Sequence, residues 1–222
     1  KLKVIGNGSS NGIDTKVFDQ NLISEEEKET LRISLDIEKD DFVFIFVGRI
    51  VGDKGINELV QGFDRLTEEY KKIKLLLVGP LESELDPLKE QTLKRLDENQ
   101  QIISTGFQVN VVPYFSIADV LVFPSYREGF PNVVMQAGAM GLPSIVSDIN
   151  GCNEIIEDGQ NGIIVSVKEV EELREKMEKI YSDKKLYSRL KENSRERIIS
   201  RYDRQTVMQL IKNEYNYLLN EN

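Results

Sequence analysis

Apolar residues fall along this chain in short continuous runs, separated by longer segments in which they recur at helical spacing. Residues Phe42–Val47 form an unbroken apolar run, and Ile73–Val78 form a second run interrupted only by Lys74. Runs of this length are typical of strands buried on both faces of a sheet. Between them, residues 55–70 place apolar side chains three and four positions apart, which predicts an amphipathic helix.

Strand and helix continue to alternate towards the C-terminus. Ser24 and Glu27 have the spacing of a capping box, which predicts a helix that extends to Ile33. The remaining strands are predicted at residues 101–104, 120–123, 144–147 and 163–165, and the remaining helices at residues 84–99, 111–117, 131–140 and from 168 onward. This alternation predicts an α/β fold with a parallel sheet and helices on both faces. Such sheets bind ligands in the crevice beyond the carboxyl ends of their strands.

Charge and composition narrow the class of protein. The 222 residues carry a formal net charge of −9, which argues against nucleic acid as a partner. The apolar runs are far shorter than a membrane span, and the single cysteine, Cys152, fits a reducing compartment. A cytoplasmic location is therefore expected. From Lys184 to Arg204 there are eight basic and three acidic residues, which favours a solvated helix face over contact with an anionic lipid surface.

The chain contains no histidine. That excludes the commonest general base, every Ser-His or Cys-His nucleophile pair and all His-ligated metal sites. Cys152 has no histidine to activate it, so we interpret it as a small, partly buried residue rather than a nucleophile. Any chemistry must use carboxylates, basic side chains and backbone dipoles.

Two cations follow the first predicted core strand. Arg49 and Lys54 flank a turn that contains Gly52 and precedes a helix. A helix N-terminus presents unpaired N–H groups and a partial positive charge, and the two side chains beside it suit a diphosphate. The alternative is a surface turn with incidental charges, because the spacing is not that of a Walker A loop. Gly6, Gly8 and Gly12 do not match a dinucleotide-binding fingerprint either, and we interpret them as part of a mobile linker or loop.

The strongest local signal is the segment from Pro124 to Gln136, which follows a buried strand and turns directly into a helix. Glu128 precedes that helix, where a carboxylate can accept hydrogen bonds from sugar hydroxyls. The backbone N–H groups of residues 130–133 are placed to meet phosphate oxygens. The alternative is that Glu128 only favours the positive end of the helix, an effect of about half a kcal/mol that does not require the glycine and proline around it.

Read together, these segments resemble the C-terminal half of the family 4 retaining glycosyltransferases, which have the GT-B fold of two Rossmann-like domains. The resemblance spans nearly the whole chain. It is carried in order by Asn11-Gly12-Ile13-Asp14, Gly48-Arg49, Lys54-Gly55, Leu77-Val78-Gly79, Thr105-Gly106-Phe107, Ala118-Asp119-Val120, Pro124-Ser125, Glu128-Gly129-Phe130-Pro131, Gly141-Leu142-Pro143, Glu154-Ile155-Ile156 and Asp158-Gly159 to Gly162.

The resemblance implies a single donor-binding, Rossmann-like three-layer domain over residues 1–222 that ends in extra helices. Residues 1–20 would be the remnant of an interdomain crossover. The helix over residues 203–222 would pack on an N-terminal acceptor domain that these residues cannot supply. A chain without that domain is expected to bind donor but to transfer no sugar.

The resemblance also implies roles for individual residues. Arg49 and Lys54 would hold the diphosphate of a UDP- or GDP-sugar and stabilise the leaving group without a metal, and Glu128 would contact the transferred hexose; these three are the predicted catalytic residues. The remaining predicted donor contacts are Phe107, Gln108, Val109, Phe130, Pro131, Asn132, Val133 and Gln136. No cofactor is expected. The acceptor would be a saccharide or a lipid-linked glycan in surface polysaccharide synthesis, with possible peripheral contact at the inner face of the membrane.

Two other functions compete with this interpretation. One is a non-catalytic nucleotide-binding or scaffolding module of the same fold. Gln136 supports it, because the family places a second glutamate eight residues after the first to hold the ribose hydroxyls. Arg49, Lys54 and Glu128 speak against it, because a degenerate site does not need them. The other is a generic Rossmann oxidoreductase, which the missing dinucleotide fingerprint disfavours.

The residue at position 136 gives the first testable prediction. We expect Gln136→Glu to tighten nucleotide binding, because a charge-assisted hydrogen bond is roughly twice as strong as a neutral one. Calorimetric titration of both proteins with the same nucleoside diphosphate measures the difference. An affinity that is unchanged or weaker in the variant contradicts the assignment of this position to the ribose.

Overall fold

The computed structural model describes residues 3–84 and 86–220. Its centre is one parallel sheet of six strands in the order β3-β2-β1-β4-β5-β6. The α/β fold predicted from the alternation of elements is thereby confirmed. The strands are β1 (Phe42–Val47), β2 (Ile73–Val78), β3 (Ile102–Ser104), β4 (Val120–Phe123), β5 (Ser144–Ser147) and β6 (Gly162–Val165).

The strand order reverses beside β1, which pairs with β2 on one side and β4 on the other. Phe44 of β1 is fully buried and lies in register with Leu75 on β2 and with Val120 on β4. These strands are continuous apolar runs because both of their faces are covered. The reversal point opens a crevice at the carboxyl ends of β1 and β4.

Helices flank the sheet in groups. Helix α2 packs against α3 and α7, α5 packs against α6 and α8, and α1 packs against α4. The helices of the described residues are α1 (Glu25–Ser34), α2 (Ile56–Glu69), α3 (Glu90–Glu98), α4 (Val112–Ser116), α5 (Asn132–Ala139), α6 (Cys152–Ile155), α7 (Val170–Ser182), α8 (Lys184–Tyr202) and α9 (Arg204–Asn220). The predicted capping box of α1 forms: Ser24 Oγ accepts from the Glu27 backbone N–H, and Glu27 accepts from the Ser24 backbone N–H.

Three helix predictions differ from the structure. The helix predicted at residues 84–99 begins only at Glu90: the Lys89 backbone N–H donates to Asn57 Oδ1 on α2 (2.9 Å), and residues 86–88 are not helical. The helix predicted to include Pro131 in its first turn begins after it, with Pro131 as the cap residue. The helical pattern predicted from residue 168 onward is divided at Asp183 and Asp203 into three helices, the last of which lies over the segment predicted as a separate C-terminal helix.

The segment predicted as a crossover remnant is joined to the C-terminal helices. Ile13 forms a parallel bridge with Asp203, and the Ile13 backbone N–H donates to the Tyr202 carbonyl at 2.7 Å. Thr15 Oγ1 donates to the Asp203 carboxylate at 2.6 Å. Of the segments predicted at the two ends of the chain, residues 1–2 and 221–222 lie outside the described residues. Residues 13–15 and the junction of α8 with α9 therefore form one unit; that this segment is an interdomain crossover stays a prediction.

The basic segment from Lys184 to Arg204 is not a uniformly free cationic face. Arg195 donates to the carbonyls of Ala139 and Phe18 and pairs with Asp19, and Arg197 pairs with Glu157 at 2.7 Å. Several of its cations thus stabilise the fold itself. No helix in the described part of the chain is long and apolar enough to cross a membrane. Peripheral contact with a membrane stays a prediction.

Gly55 fixes the distance between the β1–α2 turn and the end of β4. It caps α2 with a φ of 72°, and a Cβ on it would lie 2.1 Å from the Pro124 carbonyl oxygen. Such a distance is far inside van der Waals contact, so only glycine permits this approach. Gly159 has nearly the same φ, 73°, but a Cβ there would meet no atom within 4 Å.

Substitution of these two glycines distinguishes the cost of backbone strain, which both share, from the cost of steric overlap, which occurs only at Gly55. We expect Gly159→Ala to lower the free energy of unfolding by about 1 kcal/mol, the strain of a left-handed residue with a side chain. Gly55→Ala should lower it by about 3 kcal/mol or more, since overpacking against Pro124 is added to the same strain. Urea unfolding of both variants measures the difference. Equal losses would show that the approach to Pro124 imposes no constraint.

Candidate functional site

Glycines form the floor of the crevice where β1, β2 and β3 end. The Gly48 backbone N–H donates to the Val78 carbonyl, and the Gly79 backbone N–H donates to the Gly106 carbonyl, both at 2.9 Å. A Cβ on Gly79 would lie 1.8 Å from the Gly48 carbonyl oxygen. The chain thus passes closely over itself at this edge.

Arg49 leaves the end of β1 into solvent, with 47% of its side chain exposed. Its Nη1 lies 3.1 Å from Glu82 Oε2, on the loop after β2. No direct contact joins Arg49 to Lys54 or Glu128 in the described part of the chain. The sequence placed Arg49 and Lys54 in one cradle; the structure places both at the same edge, each paired with a different carboxylate.

Lys54 ends a short 3₁₀ turn, Gly52–Lys54, that lies between β1 and α2. Its Nζ contacts Glu128 Oε1 at 2.5 Å, and both side chains are more than four-fifths buried. The hydroxyl of Ser125, which is fully buried, donates to the same carboxylate oxygen at 2.9 Å. The fold therefore joins a cation from the end of β1 to an anion from the end of β4.

Backbone hydrogen bonds lock these two loops together. The Tyr126 backbone N–H donates to the Asp53 carbonyl at 2.9 Å, and the Asp53 backbone N–H donates to Asp86 Oδ2 at 2.5 Å. The Tyr126 hydroxyl donates to Glu58 Oε2 at 2.6 Å. Burial, and then this bond to a carboxylate, raise the pKa of Tyr126 well above its ordinary value. The phenol thus stays protonated and anchors the loop that carries Glu128.

Helix α5 begins directly beyond Glu128. Pro131 is buried, Asn132 is exposed and Val133 is half-buried at its first turn, where backbone N–H groups lack intrahelical partners. The Phe130 ring packs against the Tyr202 ring at 5.6 Å between centroids. Gln136 is half-buried on α5, and its side chain makes no hydrogen bond within the described residues. Its amide is free to meet a ligand.

The loop predicted to contact the base lies beyond β3. Phe107 is 70% exposed and Val109 is 93% exposed, whereas Gln108 Nε2 donates to the Thr105 carbonyl at 3.0 Å. These two exposed apolar side chains follow Gly106 at the carboxyl end of β3. The loop is held by Gln108 and presents its two neighbours to solvent.

Cys152 is fully buried and lies within electrostatic range of Lys54 and Glu128. Burial, the largest cause, and the negative charge of Glu128 together raise the pKa of its thiol to about 12, against the opposing positive charge of Lys54. The thiol is therefore protonated at neutral pH. This agrees with its interpretation as a small structural residue rather than a nucleophile, although Cys152 is fully and not partly buried.

Several residues of the site were not singled out in the sequence. Ser125 was read only as part of a motif, and its position directly after a buried strand was the signal that could have found it. Glu82 and Glu58 gave no signal, because their partners Arg49 and Tyr126 are distant in sequence. Asp86 was hidden inside a wrongly predicted helix. No group of three or more acidic or cysteine side chains suited to a metal ion occurs among residues 3–84 and 86–220.

A doubly wound parallel sheet with a charged crevice at its switch point defines a Rossmann-like ligand-binding domain. The family model described as "Glycosyl transferases group 1" matches residues 27–197. The chain belongs to this family, and its sheet and flanking helices match the GT-B fold of glycosyltransferases.

Individual relatives agree with this assignment. The chain is 33% identical, over all of its length and 57% of the relative's, to the capsular polysaccharide biosynthesis glycosyltransferase CapM of Staphylococcus aureus. It is 29% identical, over 89% of its length and 50% of the relative's, to N,N'-diacetylbacillosaminyl-diphospho-undecaprenol alpha-1,3-N-acetylgalactosaminyltransferase of Campylobacter jejuni.

A solved structure shows the same fold. Anabaena Alr3699/HepE in complex with UDP superposes with a TM-score of 0.84 at 24% identity, over 97% of this chain and 57% of that one. The chain thus spans about half the length of the relatives it matches.

The raised pKa of Cys152 predicts its reactivity. An ordinary thiol is half ionised at about pH 8.5, whereas burial and the charge of Glu128 raise the pKa of this thiol to about 12 in the folded chain. We expect Ellman's reagent at that lower pH to label the urea-unfolded chain rapidly and the folded chain hardly at all. Rapid labelling of the folded chain, with circular dichroism showing that it remains folded, would contradict the burial of Cys152.

Proposed function

We propose that this chain binds a nucleoside diphosphate sugar as the donor half of a retaining glycosyltransferase that transfers a hexose-type sugar. The observation that carries the proposal is the contact between Lys54 and Glu128 at the reversal point of the sheet. It places one group suited to phosphate and one suited to sugar hydroxyls side by side. The N-terminus of α5 lies next to them.

The diphosphate would lie between Lys54, Arg49 and the first backbone N–H groups of α5. A lysine supplies a compact charge and an arginine a planar fork, and a helix N-terminus adds a partial positive charge. These groups would stabilise the negative charge that develops on the departing nucleoside diphosphate, without a metal ion. Phe107 and Val109 would flank the base, and Gln136 the ribose.

The sugar would lie against Glu128. The chain contains no histidine and its single thiol is buried and protonated, so neither type of side chain is offered to the sugar as a nucleophile. Retention of configuration would follow from attack on the same face that the leaving group departs from, through an ion-pair-like state. The acceptor hydroxyl would then lose its proton to the departing phosphate.

The acceptor would be a saccharide or a lipid-linked glycan in surface polysaccharide synthesis. The names of the Staphylococcus and Campylobacter relatives support this, since one acts in capsule biosynthesis and the other takes an undecaprenol-linked sugar. The acceptor would bind to an N-terminal domain packed on the crossover and α9. We therefore expect the 222 residues alone to bind donor and to transfer no sugar.

A second function, a nucleotide-binding scaffold without catalysis, has one observation in its favour. Both cations of the site are already neutralised, Arg49 by Glu82 and Lys54 by Glu128. A ligand must compete with those carboxylates, which weakens binding. If the full-length protein binds nucleotide but shows no transfer of sugar, the result would favour the scaffold.

Nucleotide binding tests the proposal directly. Thermal shift and calorimetry with UDP, GDP, ADP, CMP and NAD should show a preference for one nucleoside diphosphate. A ligand at a hundred times its dissociation constant stabilises the folded state by about 2.7 kcal/mol. Arg49→Ala should remove most of that stabilisation, because it removes a phosphate contact.

Arg65→Ala is a matched control. Arg65 has the same side-chain exposure as Arg49, 47%, and also pairs with a glutamate, Glu171 at 2.8 Å, but it lies on α2 away from the crevice. We expect this control to bind nucleotide like the unsubstituted chain. Silence towards all five compounds, or equal losses in the two variants, would contradict the proposed donor site.

A further inference from the structure

We infer that Ser125 is a positioning residue that holds Glu128 by one carboxylate oxygen and leaves the other oxygen for a sugar hydroxyl. The inference rests on the proposed function, because it concerns how the donor site recognises the sugar rather than the nucleotide. Ser125 is fully buried at the end of β4, three residues before Glu128. Ser125 is not one of the groups proposed to contact the diphosphate, so its role in positioning Glu128 is separate from nucleotide binding.

The single proton of the Ser125 hydroxyl has three acceptors within reach. They are Glu128 Oε1 at 2.9 Å, the Arg127 carbonyl at 3.2 Å and the Asp53 carbonyl at 3.4 Å. The carboxylate is both the nearest and the only charged acceptor, and hydrogen bonds to ionised groups are about twice as strong as neutral ones. The proton therefore points to Glu128.

Both contacts to Glu128 fall on the same oxygen. Lys54 Nζ and Ser125 Oγ both donate to Oε1, at 2.5 and 2.9 Å. Oε2 has no partner among residues 3–84 and 86–220, although the side chain is only 18% exposed. A carboxylate held at one oxygen from two directions has a fixed orientation, so the second oxygen is a fixed acceptor.

A fixed acceptor selects for a donor hydroxyl. A sugar that presents a hydroxyl to Oε2 gains a charge-assisted hydrogen bond without the cost of ordering the glutamate side chain. Nucleoside diphosphate without sugar gains nothing from this arrangement. Ser125 should therefore contribute to the affinity for the nucleotide sugar and not to the affinity for the nucleotide.

The experiment compares UDP with UDP-glucose by calorimetry on this chain. We expect Ser125→Ala to weaken UDP-glucose binding about tenfold, the effect of about 1.4 kcal/mol, and to leave UDP binding unchanged. A merely structural role would weaken both ligands in parallel. In a Glu128→Ala background, Ser125→Ala should have no further effect on UDP-glucose, because Ser125 acts through Glu128.

Ser144→Ala is the matched control. Ser144 is also fully buried, on the neighbouring strand β5, and its hydroxyl has no partner within the described residues. The Ser144→Ala variant should bind UDP and UDP-glucose with the same affinities as the unsubstituted chain. If Ser125→Ala unfolds, Ser125→Cys retains a weak donor and should weaken UDP-glucose binding to a smaller extent.

The outcomes separate this inference from the proposed function. An unsubstituted chain that binds neither UDP, GDP nor their hexose sugars overturns the proposed function, and this inference with it; a preference for GDP moves the same comparison to GDP and its hexose sugar. A chain that binds both ligands, but in which the Ser125 variants change both equally or change neither, overturns this inference alone. Additive losses in the Glu128→Ala background would also overturn it.

Discussion

The contact of Gly55 with the Pro124 carbonyl brings the β1–α2 turn against the end of β4, and the rest of the site depends on it. Because no side chain separates them, Lys54 on one loop reaches Glu128 on the other, 74 residues away in sequence. Hydrogen bonds from Tyr126 to the Asp53 carbonyl and to Glu58 hold the second loop in the same place. The ion pair is a consequence of backbone packing rather than its cause.

The pair of Lys54 and Glu128 is too buried to be an ordinary surface ion pair. Withdrawing both charges from water carries a desolvation cost that their mutual attraction does not always offset, so such pairs are weak contributors to stability. Its position at the point where the strand order reverses fits the binding of a charged ligand. Arg49, more exposed and paired with Glu82, is the readier of the two cations to exchange partners.

A second set of contacts joins the N-terminal segment to the C-terminal helices. Ile13 and Thr15 bond to the α8–α9 junction, and Arg195 joins the same N-terminal segment to the end of α5. Helix α5 thus has its N-terminus at the proposed donor site and its C-terminus joined to residues 13–19. The proposed donor site and this segment therefore share one helix.

By itself the sequence determined the sheet, the helices around it and the loops that hold the site. Buried parallel strands are continuous apolar runs, as at Phe42–Val47, and the carboxyl ends of such strands are where ligands bind. It failed at residues 86–89, where Asp86 contacts the β1–α2 turn and Lys89 contacts α2 in place of the helix that local spacing allows. Only the tertiary structure decided that Lys54 pairs with Glu128, Arg49 with Glu82, and that Ser125 holds one oxygen of Glu128. Local spacing encodes periodicity and turns, whereas the partner of a charged side chain depends on which loops the packed sheet brings together.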